Sequence, residues 1–232
     1  MSNNRLCNSN WKLLSKGAEA TLYVGTYMSL PAIKKVRHPK PYRHPKLDMK
    51  LRMLRTRREA KLLVLAKHVG VLTPFVFDVD LKQCTIIMEY IEGVLLRDYI
   101  HQLEMEGRTD ESLSLMRKAG SLLARLHNGG IIHGDFTTSN ILFSRHAGLF
   151  VIDFGLGYVY KSDDPEDYAM DLRVFSRGLE VFHYTHYNDF MNKFLEGYQD
   201  CYRYDSVVSR LREIFRRGRY IEERRIRKIF KP

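Results

Sequence analysis

The 232-residue sequence predicts an α+β fold in two lobes, a small β-rich lobe and then a reduced, mostly helical one. Three observations carry that prediction. Segments rich in β-branched and aromatic residues gather ahead of residue 90. Helical periodicity dominates the remainder of the chain. Two short Asp-bearing loop sequences, at 133–140 and 153–155, sit in the helical part beside short apolar strands.

Residues 21–28 (Thr-Leu-Tyr-Val-Gly-Thr-Tyr-Met) and 31–36 predict paired strands. The next stretch, with Pro39, Pro41 and Pro45, is too proline-rich for helix. Residues 47–67 predict a helix, since Leu47, Leu51, Leu54, Arg58 and Leu62 recur near the helical period among strong helix formers. Thr85-Ile86-Ile87-Met88 reads as a short buried strand and Glu89 to Gly93 as a connector, so the first lobe spans 1–90 and the second 91–219. The clearest helix is 111–128: Asp110 caps it, Leu115, Ala119, Leu122 and Leu126 line one face, and Gly129-Gly130 ends it. Phe150-Val151-Ile152 is a short strand. Beyond Ala169 helical pattern alternates with polar breaks, with Met191, Phe194, Leu195 and Tyr198 sharing a face. A basic tail, 220–232, closes the chain.

Composition narrows the class. A hydrophobic fraction of 44% with 12 Phe and 14 Tyr fills a sizeable core, and no run of about 18 apolar residues offers a membrane span. The first residues, Met1 to Arg5, lack the apolar stretch of a secretory signal. Cys7, Cys84 and Cys201 are scattered and without metal-ligand spacing, so free thiols and a cytoplasmic or nuclear setting are expected. The net charge of +11 is segregated: residues 34–67 hold 13 Lys/Arg against Asp48 and Glu59, and residues 207–232 hold 10 against three Glu. Such clustering suits contact with a polyanion.

His133-Gly134-Asp135-Phe136-Thr137-Thr138-Ser139-Asn140, with Asp153-Phe154-Gly155 a little further on, is the pattern of a kinase-type catalytic centre. Phosphoryl transfer asks for a carboxylate that orients the attacking oxygen, and for hard oxygen ligands to magnesium beside the phosphates. Asp135 suits the first task; Asn140 and Asp153 suit the second. His133 reads as a brace for the loop, because the carboxylate already fills the base role. The expected architecture is therefore a bilobal protein-kinase-like fold, and the expected cofactors are ATP and Mg2+.

Such a centre also needs a phosphate-covering turn, a strand lysine and a helix glutamate. Lys16-Gly17-Ala18-Glu19-Ala20 lies where the turn belongs, without a full glycine repeat. Gly17, Ala18 and Glu19 on this turn, with Glu89 and Ile91 on the connector, are the expected nucleotide contacts. Glu59 is the expected lysine partner. The lysine is ambiguous: Ala32-Ile33-Lys34 matches the usual strand ending, yet Lys35 comes directly after it, and neighbours on a strand face opposite sides. Pattern alone favours Lys34. No Ala-Pro-Glu closes an activation segment, and Asp164-Pro165-Glu166 comes too soon after Gly155 to leave a peptide-docking stretch. The second lobe thus lacks a full activation segment.

Further stretches carry a resemblance to one family: Gly17-Ala18-Glu19-Ala20, Lys35-Val36-Arg37, Lys40-Pro41-Tyr42-Arg43-His44-Pro45, Arg55-Thr56-Arg57-Arg58-Glu59-Ala60, Ile91-Glu92-Gly93, the two Asp-bearing loops, and Arg217-Gly218-Arg219. Together they resemble the small atypical kinase subunit of the KEOPS (EKC) tRNA-modification complex, from about Trp11 to Arg219. The resemblance places the lysine seven residues before Tyr42, which favours Lys35. It implies Glu59 as lysine partner, Asp135 as catalytic Asp, and Asn140 and Asp153 as magnesium ligands. It also implies ATP hydrolysis with weak Ser/Thr autokinase activity, in support of threonylcarbamoyladenosine modification of tRNA. The implied partners are a threonylcarbamoyl-transferring subunit on the C-lobe, a small subunit on the N-lobe, and tRNA. Two features depart from the family: Glu166-Asp167-Tyr168 stands before Asp171 where relatives usually read Glu-Asp-Lys, and residues 220–232 form a longer basic extension where relatives often end in a Lys-Arg-Ser run. Alternatives are a ribosome-biogenesis atypical kinase, an aminoglycoside-type phosphotransferase, which usually carries His where Thr137 stands, and a catalytically dead scaffold.

Overall fold

Extended, β-branched sequence with one tight turn builds the start of the chain. The computed structural model describes residues 11–160 and 164–229, the side chains of 218–229 excepted; Cys7 and the side chains of the basic tail therefore lie outside the described residues. Strands β1 (Lys12–Lys16), β2 (Thr21–Tyr27) and β3 (Leu30–Val36) form an antiparallel meander. Met28 and Ser29 both take positive φ, 48° and 68°, so a two-residue turn of the kind that matches strand twist joins β2 to β3. Met28 thus belongs to the turn and not to the strand predicted for it.

Helix α1 (Pro45–His68) comes next, then β4 (Val76–Asp80), β5 (Thr85–Glu89) and β6 (Val94–Leu95). The strand order is β1-β2-β3-β5-β4, antiparallel throughout. Pro45 starts α1 because a first-turn proline loses no needed N–H. The helix forms as the period predicts, and of the residues that set that period Leu62 is buried while Leu47 and Leu54 are exposed. Thr56, Glu59, Leu63 and Ala66 are buried beside Leu62. A buried acid stands where periodicity alone would put an apolar residue.

The chain continues through α2 (Leu96–Met105), α3 (Thr109–Asn128) and β7 (Ile131–Ile132). A hairpin of β8 (Ile141–Ser144) and β9 (Gly148–Val151) comes next, with β6 against β8. After β10 (Tyr158–Val159) come α4 (Glu166–Phe182), α5 (Tyr187–Tyr198) and α6 (Tyr204–Ile229). Two units result: one runs to Leu95 and takes in Asn140–Tyr158, the other holds Leu96–Ser139 and the chain from Val159. Helix α3 begins one residue before the expected cap, so Asp110 sits in the first turn, where its charge favours the helix N-terminus. Among the described residues no helix is long and apolar enough to cross a membrane.

In the second unit α3 and α5 cross with their backbones almost touching. A Cβ on Gly120 would stand 1.9 Å from the Phe194 carbonyl oxygen, and one on Gly197 would stand 1.9 Å from that of Arg117. Beside this crossing Phe175 and Phe194 stack with centroids 3.8 Å apart, and Phe136 packs on both. Three helices are also joined by polar contacts. His127 of α3 meets the Tyr198 hydroxyl of α5 through Nδ1 at 2.6 Å and Asp171 of α4 through Nε2 at 3.3 Å. Burial pushes the His127 imidazole down against the pull of Asp171. Burial also lowers His183, whose Nδ1 lies 3.5 Å from Glu104.

This packing is open to two tests. Gly120→Ala should raise helix propensity by about 1 kcal/mol, yet overpacking of about 3 kcal/mol or more should win. Urea unfolding at parent-like stability would show that the crossing is looser. The histidines give a pH dependence. Their folded pKa values lie below 6.5, so the unfolded chain takes up protons first and the stability these two groups contribute is present above pH 6.5. It should decline as the pH falls from 6.5 toward the folded values. The urea midpoint should drop between about pH 7 and about pH 5 and should drop less in a His127→Gln/His183→Gln variant.

Candidate active site

Alternation along β3 puts Lys34 and Lys35 on opposite faces of the first unit's sheet. Lys34 faces Trp11, its Nζ 5.8 Å from the ring centroid. Lys35 turns inward and is buried, with Nζ 2.7 Å from Glu59 Oε1 and 2.7 Å from Asp153 Oδ1. Glu59 reaches it from α1 and is 1% exposed. Its second oxygen accepts from Arg37 Nη2. A buried carboxylate meets a desolvation penalty that its two cations offset, and loss of one partner of such a pair typically costs about 3–5 kcal/mol.

Asp153 lies just past β9 with a left-handed backbone, φ 60°, which a residue with a side chain adopts only where its surroundings impose it. Those surroundings are visible. Ile152 N–H donates to Asn140 O at 2.9 Å, Gly155 N–H donates to Asp153 Oδ1 at 3.3 Å, and the Phe154 ring is fully buried. Burial alone would push the Asp153 carboxyl up; the charge and hydrogen bond of Lys35, the charge of Arg37 and the Gly155 N–H outweigh it and hold the group below the usual range. An ionised carboxylate, 45% exposed and one residue past the backbone tie to Asn140, is a hard oxygen donor suited to a magnesium ion.

The other first-unit positions are held around this cluster. In the turn between β1 and β2, Gly17 N–H donates to Ala20 O at 3.0 Å, the Ala18 carbonyl accepts from Lys40, and Glu19 pairs with Arg55 of α1. Glu89 ends β5 opposite Ala32, and its Oε2 accepts from the Phe75 N–H at 3.1 Å. Ile91 lies just beyond, on the connector, partly exposed.

The second unit holds Asp135. Its loop hangs on Asp171 of α4, which accepts the His133 N–H on one oxygen and the Gly134 N–H on the other, each at 2.7 Å. His133 is fully buried; its Nδ1 accepts the Asp135 N–H at 3.2 Å and its ring meets Phe136 edge-on. Asp135 is thereby fixed between two anchored residues while staying partly exposed itself. Thr137 turns its methyl toward α4 at Gly178. Asp171 and Arg37 were visible in the sequence as parts of longer stretches, with no role attached. The signal for Arg37 was its spacing of two from Lys35, which places both on one strand face.

Comparison with known proteins agrees with this geometry. The model of the protein kinase domain matches residues 15–187. The KEOPS complex subunit Bud32 of Pyrococcus abyssi is 40% identical over 220 residues, covering 91% of this chain and 97% of that protein. Two proteins named probable bifunctional tRNA threonylcarbamoyladenosine biosynthesis protein, from Methanocaldococcus jannaschii and Methanothermobacter thermautotrophicus, are 38% and 42% identical. The matches cover 90% of this chain, which spans only 37% of each of those relatives. Among solved structures, the Rio2 kinase–ADP/Mg2+–phosphoaspartate complex from Chaetomium thermophilum superposes with a TM-score of 0.59 at 17% identity, covering 87% of this chain and 65% of that one. That likeness is one of fold alone. The sequence matches lead to one conclusion: the chain belongs to the protein kinase family and, within it, to the family of the relative named KEOPS complex subunit Bud32.

Proposed function

We propose that this chain is an Mg-ATP-dependent atypical Ser/Thr kinase and ATPase that acts within a KEOPS complex in support of threonylcarbamoyladenosine modification of tRNA. The observation that carries the reading is the buried Lys35–Glu59 pair with Asp153 against it. Lys35, steadied by Glu59, offers an ammonium to the α- and β-phosphates of ATP. Asp153 and Asn140 would hold magnesium, which when bound neutralises charge on the phosphate oxygens. The turn at Gly17, Ala18 and Glu19 would cover the phosphates, and Glu89 and Ile91 would border the base. Asp135, on its anchored loop, orients the attacking oxygen of water or of a Ser/Thr hydroxyl and accepts its proton.

The partners are inferred from the family and from charge. A separate threonylcarbamoyl-transferring subunit would dock on the helical C-lobe and a small subunit on the β-rich N-lobe. The name of the bifunctional relatives, of which this chain spans 37%, supports a partner that does the other part of the work. The basic segments 34–67 and 207–232 would meet tRNA phosphates, with affinity that falls steeply as salt rises.

Steady-state ATP turnover tests the reading. Asp153→Ala should lower kcat by about 10²-fold or more in a folded protein, through loss of charge stabilisation. Lys35→Ala should do likewise, and Lys34→Ala should stay close to the parent. Full turnover in folded Asp153→Ala would remove the assignment. Co-purification of a threonylcarbamoyl-transferase subunit is the expected companion result; ribosome precursors in its place would point to the alternative kinase group.

A further inference from the structure

Arg37 stands one step past β3 on the face that carries Lys35, and it is 3% exposed. Its Nη2 donates to the Glu59 oxygen that Lys35 leaves free. Its main chain is held on both sides: the N–H donates to Cys84 O at 3.1 Å, and the carbonyl accepts from Arg52 Nη1 at 3.2 Å. Arg52 is fixed on α1 by Asp48 at 2.7 Å. One residue at the end of β3 therefore grips α1 twice, by its side chain at Glu59 and by its backbone at Arg52.

The guanidinium also touches the turn after Asp153. A Cβ on Gly155 would come within 2.8 Å of Arg37 Nη2 and 3.1 Å of Asp153 Oδ1. Two further donor nitrogens, Nε and Nη1, are buried and have no hydrogen-bond partner among the described residues. Buried polar atoms are nearly always hydrogen-bonded, so unsatisfied donors on a charged group call for an explanation.

From these contacts the geometry points to Arg37 as a positioning residue for phosphoryl transfer, which holds Glu59 and α1 in place while Lys35 leaves Asp153 for a nucleotide phosphate. The inference rests on the nucleotide-site reading of Lys35, Glu59 and Asp153. The electrostatics explain why a second cation is needed. Lys35 divides one charge between Glu59 and Asp153. Without Arg37 the two carboxylates would share that single ammonium and draw it away from phosphate, and Glu59 Oε2 would lose its partner. With Arg37 present, Glu59 stays paired after the lysine turns. The fork shape matters as well, since a guanidinium can reach Glu59 and lie against the Gly155 turn together, and a point-charged ammonium cannot do both.

The test uses the full chain with Arg37→Gln and Arg37→Lys, measured for ATP turnover with Mg2+ and for amide exchange over residues 56–63. Misplacement of a catalytic group by about 1 Å can cost about 10²-fold, so Arg37→Gln should lose about 30-fold in kcat. Arg37→Lys should lose about 3- to 10-fold, and in both the KM for ATP should stay within about 3-fold, the mark of an interaction made in the transition state. Parent-like kcat in folded Arg37→Gln, or a loss confined to KM, overturns the role. If Arg37→Gln does not fold, Arg37→Lys decides by the same split: a kcat loss at constant KM supports the role, and parent values of both overturn it. Should the parent itself turn over no ATP, the nucleotide reading fails and exchange judges Arg37 alone. Exchange over 56–63 at least about tenfold faster in Arg37→Lys, with protection elsewhere kept, supports the clamp; parent-like protection overturns it.

Discussion

The carboxylate of Glu59 is the group around which the first unit is arranged. It is buried at the centre of a long helix, and a buried anion persists only with cations brought to it. Lys35 and Arg37 supply them from one strand, one for each oxygen. Those two bonds tie α1 to the end of β3. Lys35 also pairs with Asp153, which completes a cluster of two cations and two anions. The β1–β2 turn is drawn into the same arrangement, because Arg55, one helical turn before Glu59, binds Glu19.

The second unit solves its own problem with a second buried acid. Asp171 spends both oxygens on backbone N–H groups of the His133-Gly134 loop, and His127 approaches it from α3. A carboxylate on a helix that accepts loop N–H groups converts a flexible segment into a rigid one without secondary structure. Each unit thus carries an interior acid that orders the candidate site residues around it. The Phe136, Phe175 and Phe194 cluster supports this from below, since Phe136 is the residue next to Asp135 and is fully buried.

The family and the two-lobed α+β class were legible because they depend on local pattern: Asp135 and Asn140 on one loop, Asp-Phe-Gly after an apolar strand, and alternating strands ahead of a long helix. What local pattern could not supply were the facts that depend on tertiary electrostatics. The period that predicts α1 includes Leu47 and Leu54, which are exposed, while α1 turns the acid Glu59 inward, and no periodicity index values an acid as core. Lys34 against Lys35 was open for a similar reason: a strand's alternation is certain, but its phase is set by what lies beneath it, here Glu59. The first-turn position of Asp110 and the turn position of Met28 are one-residue matters of boundary.

Trp11 is the chain's single tryptophan, and its indole lies over Gly25 so closely that a Cβ there would fall 2.7 Å from the ring. The Lys34 ammonium sits near the same ring, on the sheet face opposite the charge cluster. Red-edge excitation therefore addresses one chromophore, and that chromophore belongs wholly to the first unit. The second unit, with its tyrosines and phenylalanines, is dark under the same light. The native chain thus carries its own optical label for one half of the molecule, so that loss of the sheet can be tracked separately from loss of the helices without attaching a dye.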